Sequence, residues 1–167
     1  MKQIDVNQLS IRAIDLWMNQ WLVLTSGTLE DCNMMTVAWG SIGCMWSKPF
    51  VQIVVRPQRH TYKFLEKSDT FTLCAFPEKY RQALQTLGTL SGRDGDKLKK
   101  TPLTLKKSVK VPAPSYNEAS LILECSKIYF QDIDPNGFID TGIQDNYTQN
   151  DYHRVYFGEI LAAFVNE

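Results

Sequence analysis

The sequence predicts a mainly β protein with short helices, folded as a closed or partly closed antiparallel barrel of Greek-key type. Three observations carry that reading. At least six extended, apolar segments are separated by turn signals. Only two helices fit between them. The 167 residues suit one domain with a proper core, and no composition shift, repeat or low-complexity tract marks a boundary, so residues 1–167 read as a single domain.

Trp21-Leu22-Val23-Leu24-Thr25 opens the pattern and runs into Ser26-Gly27, a turn signal, before the chain resumes from Met34 to Trp39. Phe50 to Val55 is a continuous run rich in β-branched residues, bounded by Lys48-Pro49 and Arg56-Pro57 as a buried strand would be. A short helix is expected from Thr61 to Glu66. Thr70 to Phe76 alternates polar and apolar with period two and stops at Pro77. A second helix is expected from Pro77 to Gly88, with Pro and Glu near its start and Gly at its end. Gly92, Gly95, Pro102, Pro112 and Pro114 then punctuate a lysine-rich stretch that reads as a long loop carrying small elements. Ser120 to Phe130 and Val155 to Val165 supply two more long strands.

Composition narrows the function. Hydrophobic residues make up 44% of the chain and charged ones 22%, the balance of an ordered globular protein. Eighteen basic and eighteen acidic residues cancel, so no global field would hold nucleic acid or an anionic membrane. The N-terminus lacks the apolar run of a secretory signal, and Ile160 to Val165 is too short to span a bilayer, which makes a soluble cytoplasmic protein the expectation. Cys32, Cys44, Cys74 and Cys125 lie in or beside apolar segments with no CxxC pair, and read as buried structural thiols. With only His60 and His153 present, no zinc site of ordinary spacing is supported. Asp132 to Asp140 places oxygen ligands as a calcium loop does, but Ile143 stands where the bidentate glutamate belongs, and a turn rich in Asp, Pro, Asn and Gly explains the same letters. No metal is expected. GxSxG and GxGxxG are both absent, so neither a hydrolase elbow nor a dinucleotide-binding Rossmann unit is indicated.

Two short stretches carry the candidate site. Asn33, Thr36 and Trp39 stand three residues apart on an extended apolar segment, with Met35, Val37 and Ala38 between them. Arg56-Pro57-Gln58-Arg59-His60-Thr61 packs two guanidiniums, an imidazole and a hydroxyl just beyond a strand and ahead of a helix start, where free N–H groups favour an anion. A guanidinium forks onto phosphate oxygens in a way lysine cannot. Taken singly, the arginines also fit a solvated loop, and Thr36 and Trp39 fit ordinary strand and core positions. Phosphate at one end and a flat ring at the other describe a flavin mononucleotide site. Without a second Gly-rich phosphate turn, the site is expected to prefer FMN, with adenine adding little.

At these residues the chain resembles the flavin reductase-like proteins of the FMN-binding split-barrel fold, most closely the flavoredoxin type. The resemblance covers nearly the whole chain. It rests on Asn33-x-x-Thr36-x-x-Trp39, Arg56-Pro57-x-Arg59-x-Thr61, Ser91-Gly92-Arg93-Asp94-Gly95-Asp96-Lys97-Leu98 and His153-x-Val155-x-x-Gly158-Glu159-Ile160, in that order. It implies an FMN-binding split β-barrel that works as a homodimer, with FMN near the subunit interface. Asn33 to Trp39 would line the ring, with Thr36 and nearby backbone bonding its polar edge. Arg56, Arg59 and Thr61 would take the phosphate. Ser91 and Gly92 would approach the cofactor or the partner, with Lys97 nearby, and His153 would sit towards the nicotinamide side. Met34-Met35 and Trp39-Gly40-Ser41 depart from reductases that feed two-component monooxygenases and favour the flavoredoxin type.

The resemblance implies an oxidoreductase that passes reducing equivalents from NADH or NADPH through bound FMN to an acceptor the sequence does not identify, with a redox partner protein among its candidate partners. His153 is the candidate for the wall of the nicotinamide slot. Two alternatives stand beside this: a flavin-binding electron carrier without its own NAD(P)H activity, and a non-catalytic binding module. Four Trp, eight Phe, seven Tyr and five Met also exceed what one small barrel buries easily, which again points to a homodimer.

Overall fold

Strands apolar on both faces set the architecture. The computed structural model describes residues 1–166. In chain order its elements are β1 (Lys2–Ile4), α1 (Ala13–Asp15), β2 (Leu22–Gly27), β3 (Cys32–Val37), β4 (Gly40–Met45), β5 (Lys48–Val55), α2 (His60–Lys67), β6 (Thr70–Ala75), α3 (Arg81–Thr89), β7 (Leu105–Lys106), β8 (Ser115–Tyr116), β9 (Leu121–Asp132) and β10 (Arg154–Val165). Eight strands form one sheet in the order β3-β2-β6-β9-β10-β5-β4, with β1 added to β10. Every pairing in it is antiparallel. The two ends of the path, β3 and β4, are consecutive in the chain and joined by Ala38 and Trp39, yet they are not neighbours in the sheet. The sheet therefore curls into a barrel that is split between β3 and β4.

Alternation assigns the two faces. Leu22, Leu24, Phe71, Leu73, Leu121, Leu123 and Cys125 point into one core with Val51, Ile53, Val55 and Tyr156 from the far side of the barrel. Their neighbours Val23, Cys74 and Ile122 point outward into a second core, formed by Ala83, Leu84 and Leu87 of α3 and by Leu103, Tyr116 and Ala119. The loop from 91 to 118 is thus a cover for β2, β6 and β9. Glu124, buried on β9, anchors it by accepting from the backbone N–H groups of Val109 and Lys110. Among the described residues, no helix is long and apolar enough to cross a membrane.

The expected fold class is confirmed, with differences at particular elements. Ser26 and Gly27 are the end of β2, paired with Asn33 and Cys32; the turn is Thr28 to Asp31, closed by Thr28 N–H donating to the Asp31 carbonyl at 2.9 Å. Strand β4 has no sequence signal, because two of its six residues are glycine. Gly40 is required there: a Cβ would lie 2.4 Å from the Gln52 carbonyl oxygen and 2.5 Å from the Trp17 ring. The second helix starts later than expected, as a single turn at Glu78–Tyr80 followed by α3. Cys74 and Cys125 are buried, but Cys44 lies exposed on β4 and is not a core thiol. In the Asp132–Asp140 stretch the carboxylates serve the fold. Asp132 pairs with Arg154, while Asp134 and Asp140 accept from the N–H groups of Asn136 and Gly142.

Candidate functional site

Two cavities flank β3 at the split, and the segments 33–39 and 54–61 contribute to both. The first, about 190 Å³, lies between the start of α2 and the end of α3, and takes in Asn33, Arg59, Thr61, Ser91, Gly92 and Lys97. The second, about 240 Å³, takes in Met35, Thr36, Val37, Ala38, Trp39, Arg56 and His153, with Val54. Each residue singled out in the sequence lines one cavity or the other.

The first cavity has the character of an anion site. Its cations are drawn there by helix ends. Lys97, buried, donates to the carbonyls of Leu87 and Leu90 at 2.8 and 3.0 Å, and Arg59 donates from Nη2 to the Gly88 carbonyl at 2.7 Å. Carbonyls at the C-terminus of α3 favour positive charge. Opposite them, the side chain of Arg59, the residue at the N-cap of α2, makes no capping hydrogen bond among the described residues. Burial and the nearby Arg59 guanidinium lower the Lys97 amine to about 8. Asn33 donates from Nδ2 to Thr61 Oγ1 at 2.7 Å, fixing a hydroxyl that is itself buried. His60 Nδ1 is buried on the cavity wall, with no hydrogen-bond partner among the described residues. Gly92 closes the far side so tightly that a Cβ there would meet Asn33 Oδ1 at 2.1 Å. A cradle with free donors and an orphaned imidazole nitrogen fits a phosphate.

The second cavity is flatter and more apolar. Trp39, half exposed, stands with its ring centroid 5.4 Å from that of His153. Thr36 faces this cavity but donates its hydroxyl proton to the Leu84 carbonyl of α3, and Gly88 allows that helix to come close. Arg56 lies here and not in the anion cavity. It pairs with Asp151, donates to the Asn146 carbonyl at 2.8 Å, and lies over the Tyr147 ring at 5.1 Å. The Arg59 N–H bonds the Arg56 carbonyl, so the backbone turns between the two arginines, and their side chains line different cavities.

His153 is buried, and burial followed by the neighbouring Arg56 charge pushes it down to about 4, so the ring is neutral near pH 7. Its Nδ1 lies 2.9 Å from the hydroxyl of buried Tyr147. Among the described residues this nitrogen is the hydroxyl's only hydrogen-bond partner. The bond holds the ring in place in either tautomer: the hydroxyl donates when the imidazole proton is on Nε2 and accepts when it is on Nδ1. Sequence reading missed Tyr147 and Asp151, since nothing in the order of letters shows that the 141–151 segment folds back on Arg56 and His153. His60 was visible in the basic cluster, but its unpartnered nitrogen was not.

A family model described as a flavin reductase like domain matches residues 18–167. An uncharacterized protein from Archaeoglobus fulgidus is 29% identical over 103 residues; the match covers 62% of this chain and spans only 57% of that relative's length. Among solved structures, the FMN-binding domain of a flavin reductases-like enzyme from Shewanella baltica superposes with a TM-score of 0.69 at 20% identity, covering 97% of this chain and 75% of that one. Flavoredoxin of Desulfovibrio vulgaris (Miyazaki F) gives a TM-score of 0.69 at 20% identity, covering 100% of this chain and 78% of its own. At such identity these structures establish the shared fold.

Proposed function

Because this chain belongs to the flavin reductase-like family, we propose that it is an FMN-binding oxidoreductase that takes reducing equivalents from NADH or NADPH and passes them to an acceptor. The observation that carries the reading is the pair of cavities lined by successive parts of β3, one suited to an anion and the other to a flat ring. In the first, Arg59, Thr61, Ser91, Gly92 and Lys97 hold the phosphate together with the start of α2, while Asn33 fixes the Thr61 hydroxyl. In the second, Met35 to Trp39 line the ring. Arg56 sits at the ring cavity, where its ion pair with Asp151 holds the 141–151 segment in place.

Bound FMN would supply the two-electron chemistry, which no side chain here could perform. The protein's part is orientation and exclusion of water. His153, fixed by Tyr147, stays neutral near pH 7 and positions a nicotinamide without taking up a proton. A homodimer completes the reading. Trp46, Tyr129 and Phe130 are exposed, with Trp46 packed edge-on to Tyr129 at 5.9 Å. Trp46 and Ser47 form the β4–β5 turn with φ of 54° and 57°. Non-glycine residues pay for that backbone with strain, and the turn holds an exposed indole beside the rings of Tyr129 and Phe157. Titration with FMN, followed by its visible absorbance and then by addition of NADH or NADPH, tests the proposal. A chain that binds no FMN refutes it.

A further inference from the structure

His153 is followed directly by Arg154, the first residue of β10, whose side chain lines neither cavity. It reaches instead to α2 and β9. Its Nε and Nη2 donate to the two carboxylate oxygens of Asp132 at 2.7 and 2.8 Å, and its Nη1 donates to Glu66 Oε2 at 2.8 Å. Glu66 accepts a second bond at Oε1, from the hydroxyl of buried Tyr156 at 2.6 Å. The guanidinium also lies over the rings of Phe130 and Tyr62, 4.6 and 5.6 Å from their centroids. Only 17% of the Arg154 side chain is exposed. A forked guanidinium–carboxylate pair inside such a network holds one geometry, which an isolated surface pair does not.

We propose that Arg154 is a positioning residue: with Glu66 and Asp132 it clasps the last turn of α2 to β9 and β10, and so fixes His153 against the ring cavity. The proposal rests on the FMN reading, in which the start of α2 meets the phosphate and His153 faces the nicotinamide. Helix α2 is only eight residues long. His60 and Thr61 at its start line the anion cavity, and Glu66 stands in its last turn. On the other side, Asp132 and Arg154 are partners in the β9–β10 ladder, and the next N–H, that of Ile133, donates to the His153 carbonyl at 3.0 Å. His153 is thus held at its own carbonyl and through the side chain of the residue after it. The clasp sets the spacing between the anion cavity and the nicotinamide wall. Loosening it leaves the phosphate bound and the donor badly aimed, and poor aim costs rate more than affinity. Lysine cannot fork onto Asp132 and Glu66 together.

Arg154→Lys and Glu66→Gln test this, with Leu73→Ala as a control in the β6 core that lines neither cavity. The first reading is the His153 ring titration, followed by NMR in flavin-free protein. Burial and the Arg56 charge, opposed by Asp151, hold it near 4 in the parent. In Arg154→Lys it should move up towards 6.5, and because lysine keeps the charge, the shift reports the ring's place. The second reading is flavin reduction by NADH or NADPH in FMN-loaded protein. The limiting rate should fall roughly tenfold in both variants while the Kd for FMN stays within about twofold. Leu73→Ala should lower the melting temperature and move neither reading. A His153 titration unmoved in Arg154→Lys, or a parental reduction rate in both variants, overturns the clasp. So does a control that moves the readings as far, or FMN affinity that falls as much as the rate. A parent that binds no flavin overturns the FMN reading and, with it, the part of the clasp in reduction; the titration in flavin-free protein still decides whether Arg154 places the ring.

Discussion

Replacing Arg59 with alanine should weaken FMN far more than riboflavin. Arg59 uses Nη2 to bond the Gly88 carbonyl at 2.7 Å, and its remaining N–H groups are left for the cavity. The side chain is half-buried, so its charge is poorly screened, and burial together with nearby Arg56 already disfavours that charge. An anion in the cavity relieves this, and the contact is of the charge-assisted kind worth about 1.5–3 kcal/mol. Losing it corresponds to roughly a 10- to 150-fold rise in Kd for FMN. Riboflavin has no phosphate, so its Kd should move much less. Arg56→Ala supplies the contrast. Its guanidinium is engaged with Asp151 and the Asn146 carbonyl at the ring cavity, so FMN and riboflavin should weaken alike. Flavin titrations followed by absorbance read all four constants. If Arg59→Ala shifts FMN and riboflavin equally, or leaves FMN unchanged, the phosphate does not sit where the anion cavity is.

The other predictions concern His153 and the aromatic patch. His153→Ala and Tyr147→Phe should both slow flavin reduction by NAD(P)H in rapid mixing while bound FMN stays in place; loss of FMN, or reduction at the parental rate, removes His153 from the donor slot. The folded His153 titrates near 4 against an ordinary 6.5, so below about 6.5 the unfolded chain takes up a proton that the folded one refuses. Denaturant melts should therefore show stability falling from pH 6.5 towards 4, less steeply in His153→Gln, with no contribution from this residue above that window. Trp46→Lys should leave the fold intact and convert a dimer to a monomer in sedimentation; a parent that is already monomeric with flavin bound contradicts the proposed assembly.

Strands bounded by punctuation were legible in the sequence, and so were helices with clear stops. Alternation in Thr70–Ala75 and the run before Arg56-Pro57 located β6 and β5 to within two residues. Strand β4 was not legible, because Gly40 at its start answers a contact with Trp17 and Gln52 that exists only after folding. The loop from 91 to 118 was recognisable as an excursion, but its role as the cover of a second core depends on Glu124, a carboxylate in the middle of an apolar strand. At the site, residue types and spacing marked Asn33 to Trp39 and Arg56 to Thr61, and the family resemblance added Ser91, Gly92, Lys97 and His153, which line one cavity or the other. They grouped Arg56 with Arg59 because three residues separate them, whereas a turn between the two sends their side chains to different cavities. Tyr147 and Asp151 belong to the same class as Glu124: their partners are distant in the chain and leave no local signal.

The most direct test of the central claim is a single anaerobic experiment. The protein is loaded with FMN, freed of excess flavin, and mixed with NADH and separately with NADPH while the visible flavin absorbance is followed. An FMN-binding reductase shows a bound flavin spectrum that bleaches with at least one of the two donors, at a rate that saturates with donor concentration. Bound flavin that neither donor bleaches contradicts the enzyme reading and leaves an electron carrier; protein that retains no flavin contradicts the account from its first step.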